Sequence, residues 1–191
     1  MDIILATNNK NKVLELKRML EPLGYTLYAQ KEKGIQLEVE ENGTTFEENA
    51  YLKAKAIFDL TGCAALADDS GLCVDALDGA PGVYSARYAG EPTDDHKNNM
   101  KLLEALQGVE DRSAAFVSVI CYIDPEGKAH YFRGECKGTI GLTEVGDLSF
   151  GYDPVFVVGD KAYSQMTAGE KDAISHRGNA IRKLAEYLGA K

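Results

Sequence analysis

The stretch Ile3-Ile4-Leu5-Ala6-Thr7-Asn8-Asn9-Lys10-Asn11-Lys12-Val13-Leu14 sets the architecture of the chain. Ile3 to Ala6 reads as a short buried strand. Val13, Leu14, Leu16, Met19 and Leu20 then fall at helical spacing, and Pro22 and Gly24 end that helix. Between them lies a polar loop, Thr7 to Lys12. A strand, a loop and a helix N-terminus in succession offer unpaired backbone N–H groups and a positive dipole end to an anion. Lys10 and Lys12 add point charges, and Thr7 and Asn9 add hydrogen-bonding groups. The glycines of a P-loop are missing. The same residues also read as an Asn-rich helix cap that needs no ligand.

A second stretch, Leu66-Ala67-Asp68-Asp69-Ser70-Gly71-Leu72, follows an apolar run from Cys63 to Ala67 that reads as another buried strand. Two carboxylates at a strand end are well placed to hold a divalent cation, because the strand fixes them and the end leaves them open. An Asp-Ser-Gly turn explains the same residues. Upstream, Thr45 and Glu48 have the form of a capping box, which predicts a helix to about Leu60, stopped by Gly62. Lys53 falls on the inward face of that helix, with Phe46, Ala50 and Ile57. Either it snorkels to water or its ammonium meets an anion at the end of a neighbouring strand. Glu40 and Glu41, just before the helix, could join a metal site with Asp68 or Asp69.

The rest of the chain alternates similar elements. Tyr25 to Ala29 reads as a strand, and Pro92-Thr93-Asp94-Asp95 opens a helix that ends near Gly108. Ala114 to Asp124 and Lys128 to Cys136 form a β-hairpin around Asp124-Pro125-Glu126-Gly127, so the sheet is mixed. His130 is expected at the surface of that hairpin. Phe150-Gly151-Tyr152-Asp153 precedes the strand Val155 to Val158; aromatic faces could stack on a base, and a carboxylate could accept from ring N–H groups. Lys171, His176 and Arg177 form a donor cluster in a chain short of positive charge.

The formal net charge of −9 over 191 residues disfavours a nucleic-acid polymer as partner. An anion would need local cations, backbone N–H groups or a bridging metal. No apolar run is long enough for a membrane span and no signal peptide is expected, which makes the cytoplasm the default. The four cysteines, Cys63, Cys73, Cys121 and Cys136, form no C-x-x-C pair and are expected to be reduced and mostly buried.

Six segments in order resemble the inosine/xanthosine triphosphate pyrophosphatase family: Thr7 to Lys12, Glu40 to Ala50, Ala67 to Leu72, Gly79 to Tyr88, Phe150 to Pro154 and Ile174 to Arg177. The resemblance implies an α/β fold, with an elongated, twisted mixed β-sheet, flanking helices and two lobes around a central substrate cleft. The whole chain, residues 1–191, would then be a single domain. It further implies a homodimer, a Mg²⁺ requirement and hydrolysis of ITP, dITP or XTP to the nucleoside monophosphate and pyrophosphate. By the same resemblance Thr7, Asn8, Asn9, Lys10, Asn11 and Lys12 form the triphosphate loop and Lys53 is a second phosphate-binding lysine. Asp69 is the general base and a metal ligand, Glu40 matches the other metal-binding carboxylate with Glu41 one residue away as the alternative, and Ser70 lies beside the substrate. Asp68 is a supporting group. Phe150, Gly151, Tyr152, Asp153, Lys171, His176 and Arg177 form the nucleobase pocket. The approach to it, Thr143 to Ser149, departs from the family pattern. Two rival readings are a nucleotide-binding sensor without turnover and a metal-dependent phosphatase of small phosphoesters.

Overall fold

The structure is a computed structural model that describes residues 2–146 and 150–189. Among them are seven strands: β1 (Asp2–Leu5), β2 (Thr26–Ala29), β3 (Ala65–Val74), β4 (Ser113–Ile123), β5 (Ala129–Ile140), β6 (Phe156–Val158) and β7 (Lys161–Ala162). They form one sheet in the order β2-β1-β3-β4-β5-β6-β7. β1 runs parallel to β2 and β3, while β6 is antiparallel to β5 and β7. The sheet is therefore mixed, and the fold is α/β.

Five α-helices among the described residues accompany it: α1 (Lys10–Leu20), α2 (Phe46–Thr61), α3 (Asp95–Ala105), α4 (Ala168–Ile174) and α5 (His176–Gly189). Local chemistry sets their starts. The Asn9 side chain caps α1 by accepting from the N–H groups of Asn11 and Lys12. In α2, Thr45 Oγ1 accepts from Glu48 N at 3.1 Å and Glu48 Oε2 accepts from Thr45 N at 3.2 Å. Gly62, at φ +66°, closes the other end in the left-handed conformation that a side chain would disfavour. No helix among the described residues is long and apolar enough to cross a membrane.

The chain divides into two compact units. The first comprises Met1–Asp69, Ser118–Gly134 and Arg177–Lys191. Its sheet strands carry an apolar layer on each face. Ile3, Leu5, Leu66, Ile120 and Tyr122 pack with Leu16 and Leu20 of α1 and Ala180, Ile181 and Leu184 of α5. Ile4, Ala65, Ala67, Cys121 and Ile123 pack with Ala50, Ala54 and Ile57 of α2. The residue parity is the alternation of a strand. The second unit comprises Ser70–Val117 and Glu135–His176, and its core holds Leu72, Val74, Leu102, Phe116, Phe156 and Tyr163.

Several expectations change. β3 does not stop at Ala67; it continues through Asp68, Asp69, Ser70 and Gly71 to Val74. The acidic pair is thus inside a strand rather than at its end. β5 extends to Ile140, beyond Cys136. His130 is not a plain surface residue: it is half-buried, with Nε2 2.8 Å from Asp124 Oδ2 and 3.2 Å from the Tyr187 hydroxyl. Of the four free cysteines, Cys121 and Cys136 are buried, Cys73 is half-buried and Cys63 is exposed. Part of the divergent segment before Phe150, residues 147–149, lies outside the described residues.

Candidate active site

In the first unit, adjacency on β3 sends Asp68 and Asp69 to opposite faces of the sheet. Asp68 continues the parity of Leu66, toward α1 and α5; Asp69 continues that of Ala67, toward α2. Their surroundings differ accordingly. Asp68 is 2% exposed, and its Oδ2 lies 3.2 Å from Lys12 Nζ and accepts from Arg177 Nε at 3.1 Å. Burial alone would raise its pKa, but the charges of Lys12, Arg177 and Lys53 outweigh burial and hold it well below the usual carboxylate range. Arg177 is paired in turn with Glu15 of α1. Burial opposes the Arg177 charge, yet Asp68 and Glu15 keep it firmly protonated. Burial pulls the Lys12 ammonium below its ordinary value, against the attraction of Asp68.

Asp69 is 6% exposed and lies 3.7 Å, through Oδ1, from Lys53 Nζ. Burial pushes its carboxyl up to about 6, with Glu41 and Asp68 adding to the rise and Lys53 and Lys12 opposing it. Its Oδ2 is buried and, like Asp68 Oδ1, has no hydrogen-bond partner among the described residues. Lys53 does not reach out to water: Nζ donates to Asp68 O at 2.8 Å and to Glu41 Oε2 at 3.2 Å. It meets two anions, Glu41 in the loop before α2 and Asp69 inside β3. Glu41 makes this contact, while the neighbouring Glu40 is exposed.

The loop before α1 is both a cap and the wall of a cavity. Asn9 N donates to Thr7 Oγ1 at 3.1 Å, and Asn9 Oδ1 takes the N–H groups of Asn11 and Lys12 at 3.0 and 3.2 Å. Asn8, Asn9, Lys10 and Asn11 are exposed, whereas Lys12 turns inward. Thr7, Asn8, Asn9, Lys12, Glu41 and Lys53 line an open cavity of about 410 Å³. Among the described residues no three His, Cys, Asp or Glu side chains form a closed metal cage. Asp69, with one oxygen unpartnered, and Glu41, which lines the open cavity and shares Lys53 with it, are hard oxygen donors that would suit a divalent cation.

In the second unit, Gly151 N donates to Asp95 Oδ2 at 2.9 Å, and Asn99 Nδ2 donates to Gly151 O at 3.2 Å. These bonds from α3 fix the aromatic segment. Tyr152 is buried, and its hydroxyl donates to Ser85 O at 2.6 Å, so its ring packs the core. Lys171 Nζ lies 2.5 Å from Asp153 Oδ2 and 4.5 Å over the Phe150 ring. His176 is buried, with its ring stacked on Phe116 at 4.6 Å and 12°. Ser70 is half-buried, directly after Asp69 in the chain. The expectation placed Arg177 with these groups; the structure puts its guanidinium on Asp68 and Glu15 in the first unit. Glu15, Asp95, Asn99 and Phe116 were not singled out from the sequence. Glu15 alone left a signal, three residues after Lys12 on α1 and so on the same helix face.

The family model of the Ham1 family matches residues 3–187. The chain belongs to the Ham1 family. The dITP/XTP pyrophosphatase of Desulforamulus reducens is 50% identical over 192 residues, covering 98% of this chain and 96% of the relative. That of an Exiguobacterium species is 50% identical over 186 residues, with 96% and 95% covered. The Ham1 protein of Staphylococcus aureus superposes with a TM-score of 0.91 at 42% identity, covering all of both chains. Ham1 membership and this likeness agree with the mixed, unclosed sheet described above.

Proposed function

We propose that this protein hydrolyses non-canonical purine nucleoside triphosphates, ITP, dITP and XTP, to the monophosphate and pyrophosphate. Two relatives that match nearly the whole chain carry the name dITP/XTP pyrophosphatase, which supports this substrate class. The observation that carries the chemistry is the divided acidic pair: Asp68 is ion-paired with Lys12 and Arg177 and held well below the usual carboxylate range, while Asp69 lies beside Lys53 with its carboxyl pushed up to about 6.

Asp69 accepts the proton of the attacking water; a carboxyl raised to about 6 is a better base near neutral pH than an ordinary aspartate. Lys12, Lys53 and the loop Thr7 to Lys12 neutralise and orient the phosphates. Asp68, Arg177 and Glu15 hold Lys12 in place. Asp69 and Glu41 would hold Mg²⁺, which would offset phosphate charge and acidify the attacking water. Glu41 is preferred to Glu40 because its carboxylate meets Lys53. Phe150, Gly151, Asp153, Lys171 and His176 take the base. The Asp153–Lys171 pair presents an acceptor and a donor, the complement of an N1–H and 6-keto edge; adenine offers the opposite pattern.

The motif resemblance supports a homodimer working in the cytoplasm; light scattering of the purified protein tests the dimer. Product analysis tests the activity. Pyrophosphate from ITP, dITP and XTP, with ATP turned over far more slowly, is the expected result. Orthophosphate as the product would favour a phosphatase, tight binding without turnover a sensor, and equal use of ATP and ITP would refute the base assignment.

A further inference from the structure

Two buried amides in the first unit have no part in charge neutralisation or proton transfer. Gln30 is 4% exposed and Asn49 is 1% exposed. A buried amide is costly unless its hydrogen bonds are made. Gln30 Nε2 donates to Leu37 O at 2.8 Å, and Asn49 Oδ1 accepts from Gly43 N at 2.8 Å. Residues 35–43 between these anchors have no regular secondary structure, and they include Glu41. No helix or strand ladder therefore sets the position of that carboxylate.

The approach at one anchor is close. A Cβ on Gly43 would lie 2.7 Å from Asn49 Oδ1 and 2.7 Å from Glu48 Cβ, so a side chain there would push the loop off Asn49. Asn49 also stands one helical turn before Lys53 on α2. A single helix face thus supplies both the tether for the loop and the ammonium that Glu41 meets.

Resting on the assignment of Glu41 as a metal ligand, we infer that Asn49 and Gln30 are positioning residues that clamp the Glu41 loop, and that Gly43 is required for the Asn49 clamp to close. They act through Glu41; Asn49 does not line the cavity, while Gln30 forms part of its wall. Hydrogen bonds that orient metal ligands are worth roughly ten- to a hundredfold in metal affinity.

The test is Mn²⁺ binding to the full-length, substrate-free protein, followed by electron paramagnetic resonance. Asn49→Ala and Gly43→Ala are expected to weaken Mn²⁺ binding about tenfold. Asn49→Asp keeps an acceptor for the Gly43 N–H and should stay close to wild type. Gln30→Ala should weaken binding in the same direction. The metal concentration that half-saturates ITP turnover should rise in the same ratio, with the nucleotide KM at saturating metal unmoved. Glu41→Gln is the control. If it weakens Mn²⁺ binding while folded Asn49→Ala and Gly43→Ala do not, the clamp is refuted and the metal assignment stands. If Glu41→Gln binds Mn²⁺ like wild type, the metal assignment itself fails and the clamp with it. Equal losses in Asn49→Asp and Asn49→Ala would assign the effect to packing and overturn the inference. Should Asn49→Ala not fold, as thermal melting would show, Gly43→Ala and Gln30→Ala decide the matter.

Discussion

Asp69→Asn should change how the stability of the metal-free protein depends on pH. Burial raises the Asp69 carboxyl from 3.8 to about 6 in the folded protein, while in the unfolded chain it returns to its ordinary value. Between those values the folded state binds more protons than the unfolded state, so stability falls as pH rises through that window. Below it the stabilisation from the protonated carboxyl is complete; above it the loss is complete. The shift corresponds to about 3 kcal/mol between the two limits. Asp68 acts with the opposite sign and at lower pH. Its depressed pKa gives stability that is present above its unfolded value and lost as pH falls through its folded value, so the two effects occupy separate windows. Urea denaturation in excess chelator, from about pH 4 to about pH 7, therefore reads the Asp69 effect apart from that of Asp68. Asn keeps the shape and cannot ionise. The stability difference between Asp69→Asn and wild type should grow in favour of the variant by about 3 kcal/mol across this range. A constant offset between the two proteins would refute the raised Asp69 and remove the support for its role as base. Mg²⁺ at neutral pH should restore stability to wild type and not to the variant, the pattern of a site whose function is held at some expense of stability.

Asp68→Asn leaves two buried cations, Lys12 and Arg177, without the carboxylate they share; breaking such a pair should destabilise the protein by about 3–5 kcal/mol, measured by urea denaturation at neutral pH. A loss under about 1 kcal/mol would show that the pair is dispensable. Lys171→Met removes the donor proposed for the 6-keto group and should narrow the ratio of kcat/KM for ITP over ATP by about a hundredfold or more, since a site built around a hydrogen bond rejects the wrong partner strongly. An unchanged ratio would move discrimination to His176.

How much was legible can be followed at particular residues. The caps of α1 and α2 and the stop at Gly62 were readable, because each bond joins residues at most four apart and needs no distant partner. The misfit of Lys53 was readable for a similar reason: helical periodicity put an ammonium on an inward face, and an anion meets it there. The choice between Glu40 and Glu41 was not. A loop without a ladder has no register of its own, and its register here comes from Gln30 and Asn49. Arg177 was grouped with His176 because they are adjacent in sequence, yet one has its ring on Phe116 and the other its guanidinium on Asp68.

The sequence by itself determined the succession of strands and helices, their caps and the motifs that give the family resemblance. These depend on short-range periodicity and on bonds within a turn. Only the tertiary structure decided the roles of Asp68 and Asp69. Alternation along a strand separates two adjacent residues, but it applies only where the chain stays extended, and the polar run Asp68-Asp69-Ser70-Gly71 reads as a turn when taken alone. β3 carries that run straight through to Val74. Continuity of the strand sends one carboxylate to Lys12 and Arg177 and the other to Lys53.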